Sequence, residues 1–524
     1  MTLIDHLPVL VVILPLLTAP LCVLLDRPVA AWGAALGAAW LTFVGAALLV
    51  GQVADGGAIS YQLGGWAPPW GIEYRVDTLG AYVLLIVSAM AALVLLSARE
   101  SVEREIFRVN GARFYAAFLL AFAGLMGIVA TGDAFNVFVF LEISSLSTYA
   151  LISMGRDRRA LTAAFQYLVM GTIGATFILI GIGFLYMMTG TLNMLDLAER
   201  LPEVSNTRTV RAGFAFLTVG IGLKLAMFPL HLWMPNAYTY APSVVTAFLA
   251  ATATKVAVYV LLRFILGIFG IEFGLGRMPL EYLLIPLGLM GILSASMVAI
   301  YQVEIKRLLA YSSVAQIGYI VLGVGLANTH GITAAVLHLF NHALMKGALF
   351  IALGAVAYRI GATTLDAFSG LGRRMPLTMG AIVIGGLSLI GVPGTVGFVS
   401  KWYLVLAALE RGLWPIALLV LVGSVMAVVY VWKVVERAYF SQASSGSGEA
   451  SEAPLMMLIP LWTLVLANIY FGLHTDLSAG LARQAATVLS GGQGERHAFA
   501  YLDSPGSAAG AAGGAGLCQA AQSA

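Results

Sequence analysis

The chain has 524 residues, of which 60% are hydrophobic and only 10% charged, with a formal net charge of +3. Soluble globular proteins carry about 25% charged residues. A chain this apolar cannot close a water-facing surface, and its mean hydropathy of +0.93 fits one large polytopic membrane domain. Two cysteines, Cys22 and Cys518, exclude a disulfide framework and an all-cysteine iron–sulfur cluster, which takes about four thiolates. The small, dispersed charge gives nucleic-acid binding no support. The first apolar run lacks a small-residue cleavage site and reads as a retained span.

A bilayer core about 30 Å thick takes about 20 apolar helical residues. Fourteen such runs follow one another: 7–25, 29–51, 76–98, 112–131, 134–154, 160–188, 209–229, 242–269, 280–302, 307–327, 330–357, 377–407, 413–440 and 454–473. Alternation at period two, the mark of a membrane β-barrel, is absent. The expected fold is therefore all-α, with about 14 transmembrane helices. Loops after odd-numbered runs hold fifteen Lys and Arg residues and the remaining interior loops seven. By the positive-inside rule the odd loops are cytoplasmic and both termini face the periplasm or exterior. The stretch 441–453, SQASSGSGEASEA, reads as a cytoplasmic linker, and 490–524, rich in Gly, Ala and Ser, as a flexible tail.

Ionisable residues stand inside these runs. Four of the six lysines, Lys224, Lys255, Lys346 and Lys401, lie in apolar stretches, and Glu142 lies near the middle of the fifth. A charge at the bilayer centre costs roughly 3 kcal/mol on insertion scales. The groups are either structural ion pairs and snorkelling lysines or members of a proton relay. Glu142 is too deep to snorkel and needs a cation, for which Lys224 and Lys255 are candidates. A Glu–Lys pair that can separate changes the lysine's affinity for a proton.

Two interruptions carry a common pattern. Gly222-Leu223-Lys224-Leu225 leads to Pro229, and Gly386-Leu387-Ser388-Leu389 leads to Pro393. Proline breaks the helical ladder, and broken helices at matching places in two halves point to a transport site. His338, His342 and Lys346, spaced at i, i+4 and i+8, share one helix face. That stripe can pass protons or merely pack. As a metal site it is poor, because the lysine repels a cation and no Glu or Cys stands beside the histidines. His231 could gate an entrance or cap a loop. Tyr311, Ser312, Ser313 and Gln316 give the tenth run a polar face for water or for interhelical hydrogen bonds. Lys401, with no acidic residue in its own run, is expected to take its partner from another subunit or from water.

The motifs LKLAMFPLHLWMPNAYTYAPSVVTAFLAATATK, KRLLAYSSVAQIGY, HLFNHALMKGALFIALG and GVPGTVGFVSKWY resemble the antiporter-like subunits of respiratory complex I and of Mrp-type multisubunit cation/proton antiporters. The likeness covers nearly the whole chain and looks most like the D-type subunit of an Mrp-type antiporter. It implies two inverted five-helix repeats with broken helices: N-terminal helices in 1–111, a first repeat in 112–270, a second in 280–440, the linker 441–453, a last helix in 454–473 and the tail 490–524. It maps the first-half glutamate onto Glu142, the broken-helix lysine onto Lys224, the central lysine onto Lys255, the terminal lysine onto Lys401, and a histidine onto His338 or His342. Gln316 stands where many members have a histidine. The resemblance implies a proton-translocating subunit of a monovalent cation (Na+)/proton antiporter in a bacterial cytoplasmic membrane. It works among other membrane subunits, with no cofactor or metal of its own. Alternatives are a proton-pumping subunit of a complex I-type NADH–quinone oxidoreductase or membrane-bound hydrogenase, the membrane partner of an inorganic-carbon uptake complex, and a scaffold without transport.

Overall fold

The computed structural model describes residues 3–107, 110–442 and 451–490. The expected tail, Cys518 and most of the expected linker lie outside the described residues. Helices dominate. The N-terminal unit holds α1 (Leu7–Leu25), α2 (Pro28–Gly56) and α3 (Thr78–Glu105), with an antiparallel hairpin of β1 (Ile59–Gln62) and β2 (Glu73–Val76) between the second and third. Then come α4 (Gly111–Ala130), α5 (Ala134–Ser153), α6 (Arg159–Thr189), the short α7 (Met194–Val204), α8 (Arg208–Leu225), α9 (Trp233–Tyr240), α10 (Ser243–Ala251) and α11 (Ala253–Leu262). The second half runs through α12 (Glu281–Ile300), α13 (Ile305–Gly325), α14 (Thr329–Ile360), the single turn α15 (Leu371–Arg374), α16 (Pro376–Ile390), α17 (Val396–Glu410) and α18 (Trp414–Phe440). Last are α19 (Leu455–Leu473) and α20 (Asp476–Ser490).

Among the described residues, twelve helices are long and apolar enough to cross a membrane. The two expected runs missing from that number are 209–229 and 377–407, the two that carry the repeated pattern. In the first, Arg208, Arg211 and Lys224 charge an 18-residue helix that stops at Leu225. In the second, α16 and α17 are 15 residues each, parted by residues 391–395.

Both breaks close the same way. The α8 C-cap, Ala226, is left-handed at φ 58°, and its N–H bonds to the carbonyls of Gly222 and Leu223. The α16 C-cap, Gly391, has φ 90°, and its N–H bonds to the carbonyls of Leu387 and Ser388. Met227 N–H then reaches Gly222 O at 3.0 Å, and Val392 N–H reaches Leu387 O at 3.1 Å. These are Schellman-type ends, and they leave the last carbonyls of each helix pointing past its terminus. A third interruption lies at Thr252, with φ −126° and ψ −58°, between α10 and α11. A π-helical stretch, Arg263–Ile268, continues α11.

The most enclosed helices are α13, α10–α11 and α4, followed by α3 and α14, whereas α18 faces outward with Leu418, Leu421, Val425 and Trp432 exposed. One deep polar contact ties the N-terminal unit to this interior. Arg263 Nη1 and Nη2 lie 2.5 and 2.6 Å from the Asp77 carboxylate, which also caps α3 at Gly80 N (2.8 Å). Arg263 Nε donates to Tyr259 Oη, which donates to Val129 O on α4.

Candidate functional site

The site begins on α5. Glu142, Ser145 and Tyr149, at i, i+3 and i+7, share one helix face. Opposite them α8 ends, with Lys224 in its last turn. Its ammonium donates to Ser145 Oγ at 2.8 Å and lies 3.8 Å from Glu142 Oε1. The lysine is buried, while the glutamate side chain is 26% exposed on the flank of the isolated chain. Glu142 Oε1 has no hydrogen-bond donor among the described residues. The pair is thus a loose ion contact rather than a locked hydrogen bond.

Buried tyrosines stand deeper. Tyr149 meets Tyr167 of α6 edge-on, with ring centroids 4.8 Å apart. Tyr167 lies within electrostatic reach of Tyr238 on α9, and Tyr238 stands beside Thr254. Thr254 in turn accepts from Lys255 Nζ at 3.4 Å. The main partner of the Lys255 ammonium is Ala250 O, one of the carbonyls that the break at Thr252 leaves unpaired.

The second half continues along α13 and α14. Lys346 Nζ donates to Leu309 O at 2.8 Å and Ser312 Oγ at 2.5 Å. His342 lies within electrostatic reach of Lys255 and Lys346 and stacks on His338 at 5.8 Å between centroids. His338 is held on both ring nitrogens, Nδ1 to Ser400 Oγ at 2.8 Å and Nε2 to Gln316 Oε1 at 3.0 Å. Neither nitrogen of His342 has a protein partner among the described residues. Buried polar atoms normally find one, in protein or in water, so His342 sits where an ordered water fits best.

The stripe ends at Lys401. Its ammonium sits 2.9 Å from both Leu389 O and Ile390 O and 3.0 Å from Ser424 Oγ, 4.7 Å above the ring of Tyr319. The expectation that Lys401 must take its partner from another subunit or from water is corrected here. The same chain supplies three acceptors, because α17 folds back over the broken end of α16. Three lysines therefore stand at helix ends, two of them on freed carbonyls. Lys224 stands at the end of α8, and Lys255 and Lys401 rest on carbonyls freed at the ends of α10 and α16, where the helix dipole is negative.

The structure thus gathers Glu142 with Lys224, and His338, His342, Lys346 and Lys401 around α13 and α14, with Lys255 between. His231 is adjacent rather than central. It stacks on Phe228 (5.4 Å) and meets the edge of Tyr311 (6.3 Å), bridging the first break to α13. Sequence reading passed over Tyr149, Tyr319, Ser400 and Ser424. Tyr149 had a signal in its i+7 spacing from Glu142, and Tyr319 in its i+7 spacing from Ser312. The two serines had none, since their roles follow from how α17 and α18 pack. No group of three or more His, Cys, Asp or Glu side chains that could hold a metal occurs among the described residues.

Long apolar helices, two interrupted by lysine-bearing breaks and joined by a buried line of ionisable groups, define a multi-pass membrane protein built like a cation/proton antiporter. The family described as NADH:quinone oxidoreductase/Mrp antiporter, TM matches residues 131–427, and the chain belongs to it. The NADH-quinone oxidoreductase subunit N of Desulforudis audaxviator is 42% identical over 489 residues, spanning 90% of this chain and 96% of that one. The D-type subunit of the Na+/H+ antiporter of Alkalihalophilus pseudofirmus is 29% identical, spanning 81% of this chain and 85% of that one. A chain of the Mrp complex from a Dietzia species superposes with a TM-score of 0.86 at 26% identity, covering 95% of this chain and 99% of that one. The chain is an antiporter-like membrane subunit of a family whose solved relatives stand in multisubunit complexes.

Proposed function

We propose that the chain translocates protons as one subunit of a membrane complex, along the line Glu142, Lys224, Lys255, Lys346, His342, His338 and Lys401. One observation carries the reading: ammonium groups placed at helix breaks. Each of these cations is balanced by carbonyl dipoles or one loose carboxylate rather than a locked ion pair, so a small movement alters its hold on a proton. When Glu142 swings away, Lys224 loses the counter-charge it has among the described residues and passes its proton inward through the hydroxyls of Tyr149, Tyr167 and Tyr238. Lys255 hands it to the His342–Lys346 stripe, and His338 delivers it to Lys401. Residues 112–270 and 280–440 act as two inverted halves, with both termini on the periplasmic side of a bacterial inner membrane.

The host complex is a monovalent cation/proton antiporter in the first reading, supported by the likeness to the Dietzia complex over 95% of the chain. The second reading, a proton-pumping subunit of a quinone-reducing complex, is favoured by the 42% identity to an oxidoreductase subunit N. The test is to purify the chain with its native partners, reconstitute it in vesicles and follow internal pH. A sodium gradient drives proton movement in the first case, and quinone reduction drives it in the second. Proton movement that persists undiminished with Lys224, Lys255 and Lys401 all replaced by alanine refutes translocation along this line.

A further inference from the structure

A cleft of about 520 Å³ lies apart from the proton line, on the face where the basic loops gather. It is walled by the end of α3, the loop into α6, the turn between α9 and α10, the start of α13 and the end of α14. We propose that this cleft binds a phosphate-bearing anion, the headgroup of an acidic phospholipid or a soluble phosphate.

Five basic and three acidic side chains line it, and all three acids are already engaged. Glu105 Oε2 accepts from the backbone N–H and hydroxyl of Ser243 at 2.8 and 3.0 Å. Asp157 pairs with Arg159 at 2.8 Å. Glu304 accepts from Thr363 Oγ1. The remaining four cations, Arg104, Arg156, Lys306 and Arg307, have no carboxylate within ion-pair distance among the described residues. Arg104 lies over the Tyr358 ring, Arg156 donates only to Ile106 O, and Lys306 donates only to Ala241 O. Arg307 Nε is buried with no hydrogen-bond partner among the described residues.

Four uncompensated cations around one cavity repel each other, and they keep most of their donors free, five N–H per arginine. A multiply oxygenated anion relieves both conditions. Guanidinium forks match phosphate oxygens in pairs, and basic pockets between helices on the positive side of a membrane protein suit acidic headgroups. Three helices, α6, α10 and α13, also begin at this cleft, so their dipoles add to the same sign. The cleft touches the N-terminal unit and both broken-helix halves, so an occupant binds them together.

The test uses the full chain purified with its partners into neutral detergent free of phosphate, and does not depend on transport. Melting is followed with inorganic phosphate, with phosphatidylglycerol or with phosphatidylcholine added. A rise of a few degrees with phosphatidylglycerol alone assigns a lipid headgroup, and a rise with phosphate assigns a soluble anion. Arg307→Gln and Arg156→Gln, on separate elements, should each lose the rise, whereas Arg437→Gln, outside the cleft, should keep it. Native mass spectrometry of the wild type should show the same bound species. No rise with either anion, or an equal rise in both glutamine variants, overturns the proposal.

Discussion

Gly397 offers a way to displace Lys401 without altering it. A Cβ built at Gly397 falls 1.8 Å from the backbone oxygen of Ser388 and 3.2 Å from its hydroxyl, where ordinary contact begins at 3.4 Å. The obstacle is backbone of α16, so no rotamer relieves it. Gly397→Ala must push α17 away by about 1.5 Å, an overpacking cost of roughly 1–3 kcal/mol. Lys401 is one turn along the same helix, and its ammonium lies 2.9 Å from the carbonyls of Leu389 and Ile390. A shift of that size takes both beyond hydrogen-bond range, and a bond to a charged group contributes about 1.5–3 kcal/mol. The expected result is coupled proton exchange lowered about 10- to 100-fold per assembled complex. The assay is ΔpH-driven exchange in inverted vesicles, with the amount of complex measured on the same membranes. Gly183→Ala in α6, whose Cβ meets nothing within 4 Å, serves as the control and should exchange normally. Exchange above half the wild-type rate in Gly397→Ala would refute the placement of Lys401 on the end of α16 as a requirement for transport.

Four further outcomes follow from the same geometry. Glu142→Gln removes the counter-charge 3.8 Å from Lys224 and should abolish exchange while the complex still assembles; near-normal exchange sinks the switchable pair. Lys255→Arg keeps a cation near Ala250 O but cannot release its proton, so exchange should be lost with assembly retained, and wild-type activity would make Lys255 structural. Lys401→Glu sets a carboxylate against two carbonyls and should stay inactive; retained antiport would show that any titratable group suffices there. Asp77→Asn leaves Arg263 without its charge partner, which should cost about 3 kcal/mol and appear as a lowered melting temperature, and an unchanged melting curve would show the pair to be dispensable.

The spans were legible because lipid imposes one rule, a long apolar helix, that hydropathy reads directly. The two interruptions were legible because Pro229 and Pro393 cannot continue a helical ladder. The third break was not. Thr252 lies in AATATK, where no proline or glycine marks it. The hairpin Ile59–Gln62 with Glu73–Val76, the surface helix α7 and the closing helix α20 also went unread. They are short, mixed in polarity and held by packing, as α20 is by Ala482, Ala486 and Leu489 turned inward. Nothing in the sequence sets Arg263 apart from the other arginines, although the fold makes it the clamp on Asp77.

The lysines were visible in the sequence as costly residues, but what makes them tolerable was not. A mid-membrane ammonium needs acceptors, and a continuous helix offers few because its carbonyls are already bonded; Lys346 has to share Leu309 O with the α13 ladder and adds the Ser312 hydroxyl. Breaking a helix frees its last carbonyls and so creates a place where a lysine can reside without a fixed anion. Lys255 at Ala250 O and Lys401 at Leu389 O and Ile390 O use that place. At those two positions the break and the charge serve each other: the carbonyls need a donor in a dry interior, and the lysine finds dipoles that hold it less tightly than a carboxylate does. Only Lys224 adds a carboxylate, at 3.8 Å and partly exposed, so the line is most strongly biased at its Glu142 end. That asymmetry fits a relay whose state is set from the first half and read out at Lys401.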